Sequence, residues 1–192
     1  MKSVGVVLLA LLVLLSLLLS GCDLPGGPTP TPEPTPVPRS TQVVAALTPY
    51  VPADGLFAIG YPTDWRVNEA DQQVEFSDSY RMLHIMVQYA NAGQTMDEAT
   101  MRTLIDNYFS AGMGAVTGFK REKDALQDDG SILVEYSFTN AGTPGYGSSL
   151  FLQRGSTLYI LSFWVMQQDL WAANQAFFEA VANSFQPTPE GK

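Results

Sequence analysis

The order of elements in this chain predicts an α+β layered domain with a largely antiparallel sheet. Three observations carry that expectation. Several short runs alternate apolar and polar residues with period two. Two longer stretches repeat their apolar residues at helical spacing instead. The sequence runs strands, helix, strands, helix, which segregates the two periodicities rather than alternating them strand by strand.

Each element has its own signal. Leu56–Tyr61 is a short apolar run stopped by Pro62, which cannot donate to a strand ladder. Val74 and Phe76 alternate with polar neighbours. Leu83, Ile85, Val87 and Tyr89 then mark one face of a longer strand, with Met82, His84, Met86 and Gln88 on the other. Thr95-Met96-Asp97-Glu98 reads as a capping box that starts a helix. Met101, Leu104, Ile105, Tyr108 and Phe109 continue it, and Gly112 and Gly114 end it. After the turn at Asp128-Asp129-Gly130, residues Ile132, Val134, Tyr136 and Phe138 alternate cleanly. Leu150–Gln153 and Leu158–Val165 flank Arg154-Gly155-Ser156 as a hairpin. These last two strands are apolar on both faces, so they are expected at the centre of the sheet. A closing helix, Asp169–Phe185, carries Leu170, Trp171, Phe177, Phe178, Val181 and Phe185 on one stripe.

The N-terminal region is read for targeting. Lys2 precedes an apolar stretch from Val4 to Leu19, and Leu19-Ser20-Gly21-Cys22 closes it as a lipobox does. Residues 1–21 are therefore read as a lipoprotein signal peptide cut before Cys22, the only cysteine of the chain. Residues 22–40 form a lipidated start and a spacer whose alternating Pro and Thr favour extended polyproline II. Such a spacer extends about 3.1 Å per residue. Residues 41–186 make one globular domain and 187–192 a tail of disordered character. Roughly 145 residues suffice for one substantial core.

Charge and cysteine usage exclude several function classes. The 192-residue chain has a formal charge of −9, and loss of Lys2 with the leader makes it one unit more negative. No basic footprint for nucleic acid exists, and an acidic surface does not adhere to anionic headgroups. The expected membrane contact is thus the lipid on Cys22. With no other cysteine, the domain has no disulfide, thiolate nucleophile or zinc–thiolate site.

Phe57-Ala58-Ile59-Gly60-Tyr61-Pro62-Thr63-Asp64-Trp65-Arg66-Val67 resembles the opening of PsbP-like domains, where a strand ends in a Tyr-Pro turn and a tryptophan leads into the next strand. Ala180-Val181-Ala182-Asn183-Ser184-Phe185-Gln186-Pro187 is similar to their closing helix. The resemblance spans Leu56–Pro187 and implies an α/β/α sandwich. It also implies a role in docking onto partners, since the family includes an extrinsic subunit of the oxygen-evolving photosystem and many bacterial lipoproteins. It brings no catalytic residues, and nothing here matches the photosystem members' metal or partner contacts.

The chain's own chemistry points the same way. His84, the only histidine, would have to serve any Ser-His-Asp set and most zinc sites, yet no second ligand accompanies it at a recognisable spacing. It reads as a structural histidine, so His84→Ala is expected to leave folding and partner binding nearly intact. Asp128 and Asp129 suit a turn, Asp97 and Glu98 a helix start. Asp71, Glu75 and Asp78 cluster around one strand without the spacing of a calcium loop. Asn140–Gly147 reads as a long, glycine-rich connection, with Tyr146 as its tentative partner-contact residue.

The expected function is a non-enzymatic, lipid-anchored, extracytoplasmic binding or accessory module that docks to an envelope protein or complex. No cofactor or metal is implied. The runner-up is a small-molecule or cell-wall ligand binder with a pocket between the sheet and the helix Thr95–Ala111; an envelope hydrolase is third. Cys22→Ala is predicted to release the protein from membranes or to accumulate an unprocessed precursor. Fractionation and intact mass check this, and an unchanged mature mass with unchanged membrane association contradicts it.

Overall fold

The computed structural model describes residues 46–188, all within one compact unit. Cys22, the expected leader, the expected Pro/Thr spacer and residues 189–192 lie outside the described residues. No described helix is long and apolar enough to cross a membrane.

Ten strands and two helices follow one another in the described chain. They are β1 (Thr48–Tyr50), β2 (Phe57–Tyr61), β3 (Arg66–Ala70), β4 (Gln73–Ser77), β5 (Leu83–Asn91), α1 (Glu98–Gly112), β6 (Lys120–Leu126), β7 (Ile132–Asn140), β8 (Thr143–Arg154), β9 (Thr157–Val165), α2 (Asp169–Ser184) and β10 (Gln186–Pro187). Seven strands form one sheet in the order β3-β4-β5-β9-β8-β7-β6, every pair antiparallel. A small second sheet, β1-β2-β10, is also antiparallel.

The two faces of the sheet carry two cores, because successive side chains of a strand point to opposite sides. On β9, Tyr159, Leu161, Phe163 and Val165 join the core under α2, with Phe57, Trp65, Phe76 and Ile85. Leu158 and Ile160 point the other way and join Met101, Ile105 and Phe109 of α1, with Phe151 and Tyr136. Two helices against opposite faces of one antiparallel sheet make the α/β/α sandwich. As expected, β9 and β8 lie inside the sheet. The tryptophan of the Tyr-Pro segment, Trp65, packs on Phe177 of α2 with ring centroids 5.4 Å apart.

Several local expectations are corrected. The cap of α1 is Asp97, not Thr95: Asp97 Oδ1 accepts the Thr100 amide at 2.8 Å. Met96 N donates to Gln153 Oε1 at 2.9 Å, which ties the preceding residue to β8 and leaves Thr95 outside the helix. The Asn140–Gly147 connection is no loop. Ala141 and Gly142, at φ 48° and 83°, make a two-residue turn of the kind whose twist suits a hairpin, and β8 begins at once with Thr143. The glycines mislead because Gly145 and Gly147 serve packing. The ring of Phe138 lies against Gly145 and that of Tyr136 against Gly147, where a Cβ would stand 2.5 Å and 2.8 Å from ring atoms.

Three further elements carry little sequence signal. β6 reads Lys-Arg-Glu-Lys-Asp-Ala-Leu, a charged edge strand with a bulge between Arg121 and Lys123, and such features guard edges against unwanted pairing. β1 and β10 are short and exist only through pairing to β2. The domain also runs past its expected end at Gln186. Pro187 pairs with Phe57, and Thr188 N donates to Leu56 O at 2.8 Å.

Gly147→Ala is expected to destabilise the domain by about 1–3 kcal/mol, the usual cost of overpacking. Its added carbon would meet both Phe163 O at 2.7 Å and the Tyr136 ring. Chemical denaturation measures the loss, and an unchanged midpoint contradicts the packing account.

Candidate functional site

The most elaborated polar cluster sits at the β4–β5 end of the sheet, around His84. On the sheet face that also carries α1, His84 lies opposite Ser77 on β4 and Trp164 on β9. Its ring stacks on Trp164, centroids 4.8 Å apart and planes 6° from parallel. Nδ1 lies 2.8 Å from Glu75 Oε1 and Nε2 lies 2.9 Å from the Arg81 carbonyl oxygen. Both partners accept hydrogen bonds, so each ring nitrogen faces an acceptor. The hydrogen bond from His84 holds the Glu75 carboxyl below its ordinary value of 4.5, with burial opposing.

This arrangement settles what the pair can do chemically. A carboxylate–histidine pair serves a nucleophile only when the second ring nitrogen faces it. Here that nitrogen is taken by a backbone carbonyl, so the pair acts as a buttress for the β4–β5 turn. His84 is thus a satisfied structural histidine, as the sequence suggests, but its burial (5% exposed) and three contacts tie it to the turn, so its removal is expected to cost more than the sequence alone implies.

Asp78 completes the buttress from the α2 side. It is 3% exposed, and Oδ1 accepts the amides of Met82 (2.6 Å) and Leu83 (3.0 Å). Oδ2 is buried without a hydrogen-bond partner among the described residues. The three carboxylates of this strand region are thus not one site. Glu75 serves His84, Asp78 the turn, and the field of Asp71 reaches Tyr89, whose phenol is pushed up to about 12, chiefly by burial and then by its bond to Asp54.

A second polar array lies beneath α1. Ser149 and Ser162 share a buried hydrogen bond of 2.8 Å, and the Tyr108 hydroxyl donates to Gln88 Oε1 at 2.7 Å. Gln88 Nε2 in turn donates to Gln73 Oε1 at 3.0 Å. Burial pushes the Tyr108 phenol up to about 12, so these hydroxyls stay neutral and knit β4, β5 and α1 together, and β8 to β9. The space between sheet and α1, where the runner-up reading places a ligand pocket, is filled by Met101, Ile105 and Phe109 against Phe151 and Ile160.

Tyr146 stands on β8, half-buried. Its ring meets Trp171 edge-on at 5.0 Å, and its hydroxyl donates to Glu135 Oε2 at 3.2 Å. It is a strand residue braced by α2 rather than a residue on a mobile loop. Asp129 bonds Ser131 and Arg154, which hold its carboxyl down at about 2, the Ser131 bond being the larger cause. Glu98 pairs with Arg102 one turn on. Among the described residues no three His, Cys, Asp or Glu side chains converge as a metal-ligand set. A shallow hollow of about 250 Å³ is lined by Thr143, Pro144, Gln167, Gln168 and Asp169. None of the methionines or aromatics of a ligand pocket borders it.

No protein-family model matches the chain, and no curated protein matches its sequence. Solved structures do match. The solution structure of cyanobacterial PsbP (CyanoP) from Synechocystis sp. PCC 6803 aligns with TM-score 0.55 and 15% identity, over 75% of this chain and 94% of that one. The Saccharomyces cerevisiae Ran-binding protein Mog1p gives 0.55 and 9%, over 74% and 96%. A Pseudomonas aeruginosa protein of unknown function gives 0.50 and 14%, over 76% and 99%. The domain therefore has the α+β fold of the PsbP and Mog1p structures: two helices packed against a large antiparallel sheet.

His84→Ala is expected to cost roughly 1–3 kcal/mol through the lost stack and two unmet acceptors. The folded-state value of Glu75 lies below its ordinary one. Its ionised form therefore contributes stability that is fully present above about 4.5 and is lost as pH falls through the depressed value. Denaturation across pH 2–5 should show this acid limb in the wild type and a weaker one in His84→Ala. Equal limbs would contradict the pairing.

Proposed function

We propose that this protein is a lipid-anchored extracytoplasmic accessory module that docks onto an envelope protein or complex. Cys22 would hold it at the membrane, and the Pro/Thr spacer would carry the domain away from the bilayer. The observation that carries the docking reading is that the described polar clusters are spent inside the fold. His84, Glu75, Asp78 and the Ser149–Ser162 pair brace turns and layers, as in a scaffold that presents surfaces. That one neighbour of this fold is a Ran-binding protein supports the reading as a fold-level analogy. The filled space under α1 speaks against the ligand-pocket alternative, and the occupied His84 nitrogen against a hydrolytic one.

In-cell crosslinking of the full chain, followed by purification and mass spectrometry, is the test. One reproducible envelope partner is expected, lost when the domain is deleted and the tether kept. Retention of that partner by the tether alone, or crosslinks no higher than background, would overturn the docking reading.

A further inference from the structure

We propose that the β4–β5 turn, residues 79–82, is a docking element for an acidic segment of a partner protein, with Tyr80 and Arg81 as its contact side chains. This proposal rests on the docking reading above and names the surface and the partner's chemistry.

The argument begins with backbone conformation. Arg81 sits at φ 56°, in the left-handed region that favours glycine or asparagine. An ordinary L-residue is held there under strain, because its Cβ crowds the following carbonyl oxygen. Such strain persists where the surroundings over-determine it, and here they do. Arg81 N donates to Asp78 O at 3.0 Å, and Arg81 O accepts from His84 Nε2 at 2.9 Å. Asp78 Oδ1 bonds the next two amides. Two buried ionisable side chains, one braced by Glu75 and Trp164, thus hold a four-residue turn.

The two contacts that Arg81 itself makes in the turn, N–H to Asp78 O and O from His84 Nε2, use its backbone alone, and glycine would make both without strain. The arginine side chain is exposed and forms no ion pair among the described residues. Its part in the fold is electrostatic: behind the bond from His84, its charge helps to lower the Glu75 carboxyl. Beside it, Tyr80 is 60% exposed, the most exposed large apolar side chain among the described residues. Arg66, opposite Ser77 at the same end of the sheet, is likewise exposed and in no ion pair among the described residues. A rigid turn therefore presents an aromatic and an arginine, with a second arginine close by. Tyrosine and arginine are the side chains that carry most binding energy at interfaces, and guanidinium groups bind carboxylates in bidentate fashion.

Charge selects the partner. The chain has a formal charge of −9, so two exposed guanidinium groups at one tip, in no ion pair among the described residues, are a local exception that complements acidic side chains. An anionic bilayer is the poorer fit. Lipid recognition takes clusters of about 4–8 cations, and the rest of this surface repels such a membrane.

The test uses the full chain in its own cells, with Tyr80→p-benzoylphenylalanine as a photocrosslinker. The crosslink is expected on one envelope protein, within a segment rich in Asp and Glu. Adding Arg81→Gly should weaken capture about tenfold, while the unfolding midpoint stays level or rises because the left-handed strain is gone. Undiminished capture by Arg81→Gly would overturn the role of the side chain. Crosslinks to lipid, or to a segment without acidic residues, would overturn the partner's chemistry. Silence at position 80, while an amine-reactive reagent still captures the partner, would move docking elsewhere on the domain and leave the broader reading intact. Silence from both reagents would remove the docking reading itself.

Discussion

The fold depends on one strand being apolar on both sides. β9 separates the two cores, and a strand buried on both faces must carry large apolar side chains at nearly every position. Thr157–Val165 meets that condition, with Tyr159, Leu161, Phe163 and Val165 turned to α2 and Leu158 and Ile160 to α1. Register follows, since a slip of one residue would exchange the two sets. β5 pairs along its full length on one side and β8 on the other, so both edges of β9 are hydrogen-bonded throughout. Tyr159 adds a link at one end: its hydroxyl donates to Leu56 O at 2.8 Å, which joins β9 to the chain entering β2.

The helices close the two faces in different ways. α1 lies on a surface lightened by Gly145, Gly147, Ser149 and Ser162, over which the rings of Tyr136 and Phe138 fold. α2 reaches the small sheet as well as the large one. Ser184 Oγ accepts the Gly60 amide at 2.8 Å and donates to Val181 O at 2.6 Å. Gly60 must be small there, because a Cβ would meet Leu47 at 2.8 Å and Ser184 at 3.0 Å. That close approach is the physical content of the Gly-Tyr-Pro segment by which the chain resembles the PsbP-like domains.

Polar groups inside the sandwich are spent on holding turns and layers. At the β4–β5 turn, Asp78 and the Glu75-paired His84 hold the backbone of Arg81, Met82 and Leu83, while the side chains of Tyr80 and Arg81 stay exposed. Charge placed this way gives rigidity to a surface rather than reactivity to a cleft, and rigid presentation lowers the ordering cost of binding.

By itself, the sequence determined the α+β class, the long alternating strands, both helices and the central position of β8 and β9. Those follow from periodicity and from two-sided apolarity, which are local quantities. The expected leader, the lipidation of Cys22 and the expected spacer fall outside the described residues. Tertiary structure alone decided the rest. The charged strand β6 is a strand only because β7 offers it a ladder. Asn140–Gly147 reads as a loop until Phe138 and Tyr136 are seen to need its glycines. The same holds for His84, which alternation assigns to the more polar face of β5. Trp164, Glu75 and the Arg81 carbonyl come from distant or unlike positions in the chain, and only folding brings them round one imidazole.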